Sequence, residues 1–200
     1  MNIQKLHFKR DDDKDTVISI RHRISSDHGD IITLYQTVSE EEQDFYTIDV
    51  CNPQVCSQWF EPNEFIETLA LVAVVDNRIV GEAVLDRQKD TKTSHVGTVR
   101  FYVHPDWRKF GIGSALITAL FTESMNIGIE KISVSIPEPA SRRFKSILAK
   151  SGFSQEAILK NHFRASTGVK QNIVIYGRDL DELWNSISDW LGNFGRAMEY

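Results

Sequence analysis

The sequence predicts a mixed α/β domain with a largely antiparallel central sheet of about six to seven strands and helices on both faces. Three observations carry that expectation. Leu69 to Val75 is a continuous apolar run, and the turn pair Asp76-Asn77 leads from it into a second run, Ile79 to Leu85; this is the pattern of a β-hairpin inside a covered sheet. Segments with helical spacing alternate with the strand-like ones, without repeat or internal linker. Near the end, Ser154 to Phe163 and Val169 to Tyr176 flank Gly168 and read as a closing hairpin.

Residues 1–15 are polar and end in Asp11-Asp12-Asp13-Lys14-Asp15, so they read as a flexible arm or a short lead-in strand. The domain proper is expected over 16–179. Thr16 to Ile24 alternates imperfectly and forms its first strand. Ser25-Ser26-Asp27 offers an N-cap before Ile31, Ile32, Leu34, Tyr35 and Val38, which repeat at helical spacing. Pro53 and Pro62 punctuate Phe45 to Glu67, where short helices are expected, Pro62 near the first turn of the second. After the first hairpin a polar turn leads into the strand His95 to His104, with Val99, Phe101 and Val103 on one face. A helix follows from about Gly113 to Asn126, and Ile132, Val134 and Ile136 alternate as the next strand. Pro137 to Pro139 turn the chain into a helix, Ala140 to Lys150, with Gly152 placed as its left-handed cap. In the tail, 180–200, Leu180, Leu183, Trp184, Ile187, Trp190 and Leu191 make one apolar helical face. It either docks on the domain, forms a dimer contact or walls a substrate site.

Bulk properties remove several function classes. A formal net charge of −5 opposes a chain devoted to nucleic acid, whose backbone recruits basic residues. No run approaches the roughly 18 apolar residues of a membrane span, and the first ten residues lack the apolar centre of a signal peptide. A cytoplasmic protein without membrane or nucleic-acid partners is expected. Cys51 and Cys56 are the only cysteines, and no Cys or His cluster completes a metal site around them, so reduced thiols and no metal are expected.

The chemistry concentrates at Val99 to Leu116. A strand runs into Arg108-Lys109, then Phe110-Gly111-Ile112-Gly113-Ser114, then an apolar helix. A helix N-terminus leaves about four N–H groups unpaired and carries roughly half a positive charge. Glycines let a phosphate approach the backbone, and the two basic residues add full charge. The sum is a pyrophosphate cradle. Two glycines that merely shape a turn are the plainer alternative. A Walker loop is excluded because no Gly-Lys-Ser/Thr follows, and a dinucleotide fingerprint because Leu116 stands where its third small residue belongs.

At these residues the chain resembles the GNAT (Gcn5-related N-acetyltransferase) superfamily, whose signature is Arg/Gln-x-x-Gly-x-Gly/Ala. Arg108-Lys109-Phe110-Gly111-Ile112-Gly113 matches each defined position, and Lys150-Ser151-Gly152-Phe153 looks like the family's Lys-x-Gly-Phe element. The likeness covers about Leu69 to Tyr176. It implies an acetyl-CoA-dependent N-acetyltransferase acting on a primary amine, small molecule or protein, as a monomer or homodimer. It implies that backbone N–H groups from about Phe110 to Ser114 hold the CoA pyrophosphate, beside Arg108, Lys109 and Ile112. The strand at Phe101 and Val103 would splay from Ile132–Ile136 and pair its backbone with the pantetheine arm.

Three family positions depart from the pattern: Leu148 stands where a tyrosine acid is frequent, Ser141 lies near a frequent asparagine, and His95-Val96-Gly97-Thr98 lacks a glutamate base. Glu82, set among apolar residues, is the substitute base, or else pairs with an arginine or faces solvent. Tyr102 is the candidate acid, or else a core aromatic. His104 and His162 are isolated and read as packing or surface residues. Glu40, Glu41, Glu42 and Asp44 would suit a cationic acceptor, or are a solvated helix end. A non-catalytic acyl-CoA-binding module is the alternative function.

Overall fold

The apolar runs at 69–75 and 79–85 become the middle of an eight-stranded sheet in the computed structural model, which describes residues 2–9, 15–46, 48–61, 63–89 and 91–180. The strands are β1 (Asn2–Lys9), β2 (Asp15–His22), β3 (Ile66–Val75), β4 (Arg78–Gln88), β5 (Val96–Val103), β6 (Lys131–Pro137), β7 (Ser154–Arg164) and β8 (Lys170–Asp179). Helices α1 (His28–Tyr35), α2 (Glu40–Gln43) and α3 (Pro53–Gln58) lie between β2 and β3; α4 (Ile112–Asn126) and α5 (Glu138–Lys150) flank β6. The order across the sheet is β1-β2-β3-β4-β5-β6-β8-β7. Every neighbouring pair is antiparallel except β5 and β6.

Alternate residues of β3 feed two different cores, which is why its sequence is apolar throughout rather than alternating. Leu71, Ala73 and Val75 pack with Leu116, Ala119 and Leu120 of α4. Val72 faces the other way, among Ile31, Leu34 and Tyr35 of α1 and Cys56 of α3. The β3–β4 turn has Asp76 at φ 46° and Asn77 at φ 61°, both positive as a two-residue type I′ hairpin requires. At the end of α5, Gly152 at φ 76° lets Phe153 N–H reach Leu148 O (2.9 Å) and its own N–H reach Ala149 O (3.0 Å), a Schellman cap.

The structure corrects the sequence reading at two places, the number of strands and the cap of α1. The sheet has eight strands because part of the expected arm is β1, paired antiparallel along the edge of β2 from Asn2↔Arg21 to Lys9↔Asp15; an open strand edge takes up a further strand wherever chain is within reach. Asp27 does not cap α1 with its side chain. Its carboxylate accepts from Arg21 and from the Ile24 N–H instead. Pro53, with Asn52 capping Gln54 N–H at 3.0 Å, opens the helix before β3, whereas Pro62 lies outside the described residues. Of the 180–200 tail only Leu180 is described, and it is buried.

One buried ion pair braces the α1/α3 side. Arg23 Nη1 meets Glu82 Oε1 at 2.9 Å, with 7% and 0% of their side chains exposed. Arg23 Nη2 also donates to Trp59 O at 2.9 Å, and its guanidinium lies 4.5 Å from the Phe60 ring centre. The pair thus joins the end of β2, the middle of β4 and the segment after α3. Truncating one partner strands the other charge. Arg23→Met is expected to lower unfolding free energy by about 3–5 kcal/mol in urea titration, and Arg23→Met/Glu82→Leu to recover much of that loss.

Candidate functional site

The strand pair β5–β6 has only three partners in register, Val96↔Lys131, Gly97↔Ile132 and Thr98↔Ser133. Beyond Thr98 the two strands separate. β5 stays with β4 as far as Val103↔Gly81, and β6 stays with β8 as far as Pro137↔Ile173. The opening between them is the mouth of a cavity of about 790 Å³. Phe101, Tyr102 and Val103 form one wall, Val134, Ser135 and Ile136 the second, Phe144 and Leu148 of α5 a third. The segment bearing Glu42, Phe45, Tyr46 and Ile48 closes the remaining side.

The basic loop stands at the mouth. His104 Nδ1 accepts from Asp106 N–H at 3.2 Å and fixes a short 3-10 turn, Pro105–Trp107. Lys109 (φ 72°) and Gly111 (φ 78°) are both left-handed, a backbone alternation that turns successive N–H groups toward one side. The first bond into α4 is Ala115 N–H to Gly111 O at 3.0 Å. Among the described residues, the N–H groups of Ile112, Gly113 and Ser114 ahead of it have no acceptor within the protein, as expected at a helix start. No Cβ obstructs Gly111, and one added at Gly113 would meet only Val103 Cγ2 at 3.7 Å. The cradle therefore has free donors, positive charge and room for an anion, and it fits the diphosphate of a nucleotide carrier.

The expected site residues mostly converge. Phe101, Tyr102, Val103, Arg108, Lys109, Gly111, Ile112, Gly113 and Ser114 all line the cavity. Phe110 does not; its ring packs 6.5 Å from that of Trp107 and against the core. Arg108 donates to both oxygens of Glu42, at 2.7 and 3.0 Å, and through Nε to Val103 O at 3.0 Å. Tyr102 is 4% exposed, stacks on Tyr35 at 5.6 Å, and places its hydroxyl 3.1 Å from Thr37 Oγ1. Burial, the largest influence, pushes its phenol above the ordinary value, with the Thr37 hydroxyl pulling the other way. Tyr102 is therefore protonated at neutral pH and able to donate.

Glu82 takes the arginine-paired alternative. It is absent from the cavity wall and one oxygen is spent on Arg23 in the α1/α3 core, so the apolar neighbours that marked it mark a structural ion pair instead. The departure at Gly97 has a physical reason. A Cβ at Gly97 would lie 2.5 Å from Leu85 Cδ1, and Leu85 is fully buried, so the core leaves no space for a longer side chain there. Leu148 does line the cavity but has no proton to give. His104 serves the turn, and His162 is exposed on β7. Both cysteines are free; burial pushes the Cys56 thiol up to about 11. No group of three or more His, Cys, Asp or Glu is placed to hold a metal among the described residues.

Sequence reasoning missed Phe45 and Tyr46, and saw Glu42 only as one of a charge run. No periodic pattern spans this segment, and the contacts that turn it toward the cavity are with residues far along the chain.

Comparison with known proteins agrees with this geometry. Residues 67–154 match the profile described as an acetyltransferase (GNAT) domain. No curated protein matches the sequence. Among solved structures, a ribosomal-protein-alanine N-acetyltransferase from Brucella melitensis is similar in fold, with a TM-score of 0.68 at 20% identity over 80% of this chain and 99% of that one. A Streptococcus mutans protein aligns at 26% identity and a TM-score of 0.65, over 80% and 98%. The Salmonella typhimurium protein yncA, solved with its cofactor acetyl-CoA, gives 0.68 at 17% identity, over 82% and 94%.

Gly97→Ala tests the packing account of the missing carboxylate. Forcing a methyl group against Leu85 is expected to cost about 1–3 kcal/mol in chemical denaturation; an unchanged midpoint would mean that the core has slack there.

Proposed function

We propose, from the match of residues 67–154 to a GNAT acetyltransferase domain, that this chain is an acyltransferase of that superfamily and transfers acetyl from acetyl-CoA directly to a primary amine. The observation that carries this reading is the parting of β5 from β6 beside the uncapped start of α4. One opening thus offers an anion cradle at its mouth and an unpaired strand edge along its wall.

When bound, acetyl-CoA supplies an acetyl group already activated as a thioester. The N–H groups of Ile112, Gly113 and Ser114 would hold its diphosphate, with Arg108 and Lys109 adding charge. The edge of β5 at Phe101 and Val103 would take the pantetheine as an added strand, and an N–H in that stretch would polarise the thioester carbonyl. Tyr102 is the group on this wall that can pass a proton to the departing thiolate, and the proton lost by the attacking amine would restore its phenol. No side chain is assigned as base. Holding a neutral amine against the thioester between the parted strands would account for much of the acceleration by itself. The two free thiols fit a reducing compartment, and we place the reaction in the cytoplasm. Among the described residues no helix is long and apolar enough to cross a membrane.

A second reading, an acyl-CoA-binding module without turnover, is favoured by a single feature: the apolar Leu148 on the cavity wall. Release of CoA thiol in the presence of an amine panel separates the two.

Thermal unfolding with acetyl-CoA, CoA, ATP and NAD tests the donor assignment. A CoA-specific rise is expected, worth about 2.7 kcal/mol at a hundredfold excess over Kd; no rise would remove it. Gly113→Trp is expected to abolish the CoA-dependent rise, because an indole, unlike the small side chains the signature admits at this position, fills the approach to the backbone N–H groups.

A further inference from the structure

Residues 42–46 reach four separate parts of the fold. The Glu42 carboxylate takes both terminal nitrogens of Arg108, at 2.7 and 3.0 Å. Asp44 accepts from Ser166 in the β7–β8 turn, from its N–H at 3.0 Å and its hydroxyl at 3.3 Å. The Phe45 ring meets Phe144 of α5 edge-on, with centroids 5.3 Å apart. The Tyr46 hydroxyl donates to Phe101 O at 3.2 Å. Glu42, Phe45 and Tyr46 all face the cavity.

Two of these contacts fall on groups that the proposed donor needs. A carboxylate and a phosphate present the same pair of oxygens to a guanidinium fork, and each is suited to bidentate pairing. Glu42 therefore sits on Arg108 as an anion of the donor would. The Phe101 carbonyl, which no β6 residue meets past Thr98, would accept from a pantetheine amide, and it is the Tyr46 phenol that donates to it. Burial holds the Tyr46 phenol well above its ordinary pKa, so it stays a donor at all physiological pH.

We propose that residues 42–46 are an internal competitor of the donor, with Glu42 replacing the diphosphate at Arg108 and Tyr46 replacing pantetheine at Phe101. The proposal rests on the acetyl-CoA reading above. A diphosphate placed at Arg108 would also stand against the Glu42 carboxylate, and like charges a few ångströms apart in a half-buried site repel strongly. Donor binding thus breaks the two mimicking contacts together and lifts the segment from the cavity. The displaced carboxylate then has no cation, and the side the segment closed becomes the entrance for an amine. Donor first, acceptor second is the order this geometry imposes.

The test is the dissociation constant of acetyl-CoA, by calorimetric titration, for the wild type, Glu42→Gln, Tyr46→Phe and the double variant, each checked by its melting temperature without ligand. Losing a competing hydrogen bond is expected to tighten binding about two- to tenfold for each single change, and further for the double. A merely structural segment predicts the reverse, because loosening it would deform the site. Unchanged or weaker binding in both single variants overturns the proposal while leaving the donor assignment intact, provided that the wild type binds. Failure of every variant to bind acetyl-CoA removes the donor assignment and the competitor with it.

Discussion

The early separation of β5 from β6 governs the rest of the molecule. These two strands are the sheet's single parallel pair, and α4 must cross from the end of one to the start of the other. β5 remains bonded to β4 and β6 to β8 over their whole lengths. The sheet is therefore two antiparallel halves that touch over three residue pairs and then diverge. Backbone groups on the inner edge of β5 past Thr98 lose their ladder, and buried polar groups without partners are costly. Something has to meet them. In the free protein side chains do so: Tyr46 at Phe101 O and Arg108 at Val103 O.

That requirement links the two ends of the site. The residue that begins the anion cradle, Arg108, also completes the strand edge, and its charge is balanced by a helix of four residues that has no core of its own. None of the side chains of α2 is fully buried. Its position depends on what Glu42 and the three residues that follow the helix touch, and on the proposal above α2 yields to a better anion without unfolding the domain. The Arg23–Glu82 pair has the opposite character. It is dry, joins three segments, and cannot be parted cheaply. The same residue types make a fixed brace on one side of the sheet and a releasable contact on the other, and solvent exposure separates the two cases.

What the sequence displayed was local. Asp76-Asn77 specifies its own turn, Gly152 its own cap, and Gly111-Ile112-Gly113 its own opening, because each answers a backbone demand within a few residues. What it concealed was pairing at a distance. Glu82 looks like a buried carboxylate awaiting work until Arg23, 59 positions away, is brought to it. Gly97 reads as a lost base until Leu85 is seen to occupy the space. Glu42 reads as part of a solvated acidic run until Arg108, 66 positions away, closes on it. In each case composition and spacing identified the residue, while the tertiary partner decided its role.

The lack of an acid or base at the two family positions is then less of an obstacle than it first looks. Core packing excludes a carboxylate at Gly97, and Leu148 gives its part of the cavity an apolar wall. Apolar surroundings strengthen whatever polar groups remain beside them. On this wall those are the phenol of Tyr102, kept protonated by burial, and the N–H groups of a strand edge that no neighbouring strand has claimed. The proposed transfer, whose leaving group is a thiolate, asks mainly for an oriented amine, a polarised carbonyl and one available proton. The divergence of the two strands would polarise the carbonyl through the backbone alone, and would leave the side chains to place the amine and to decide when the donor is admitted.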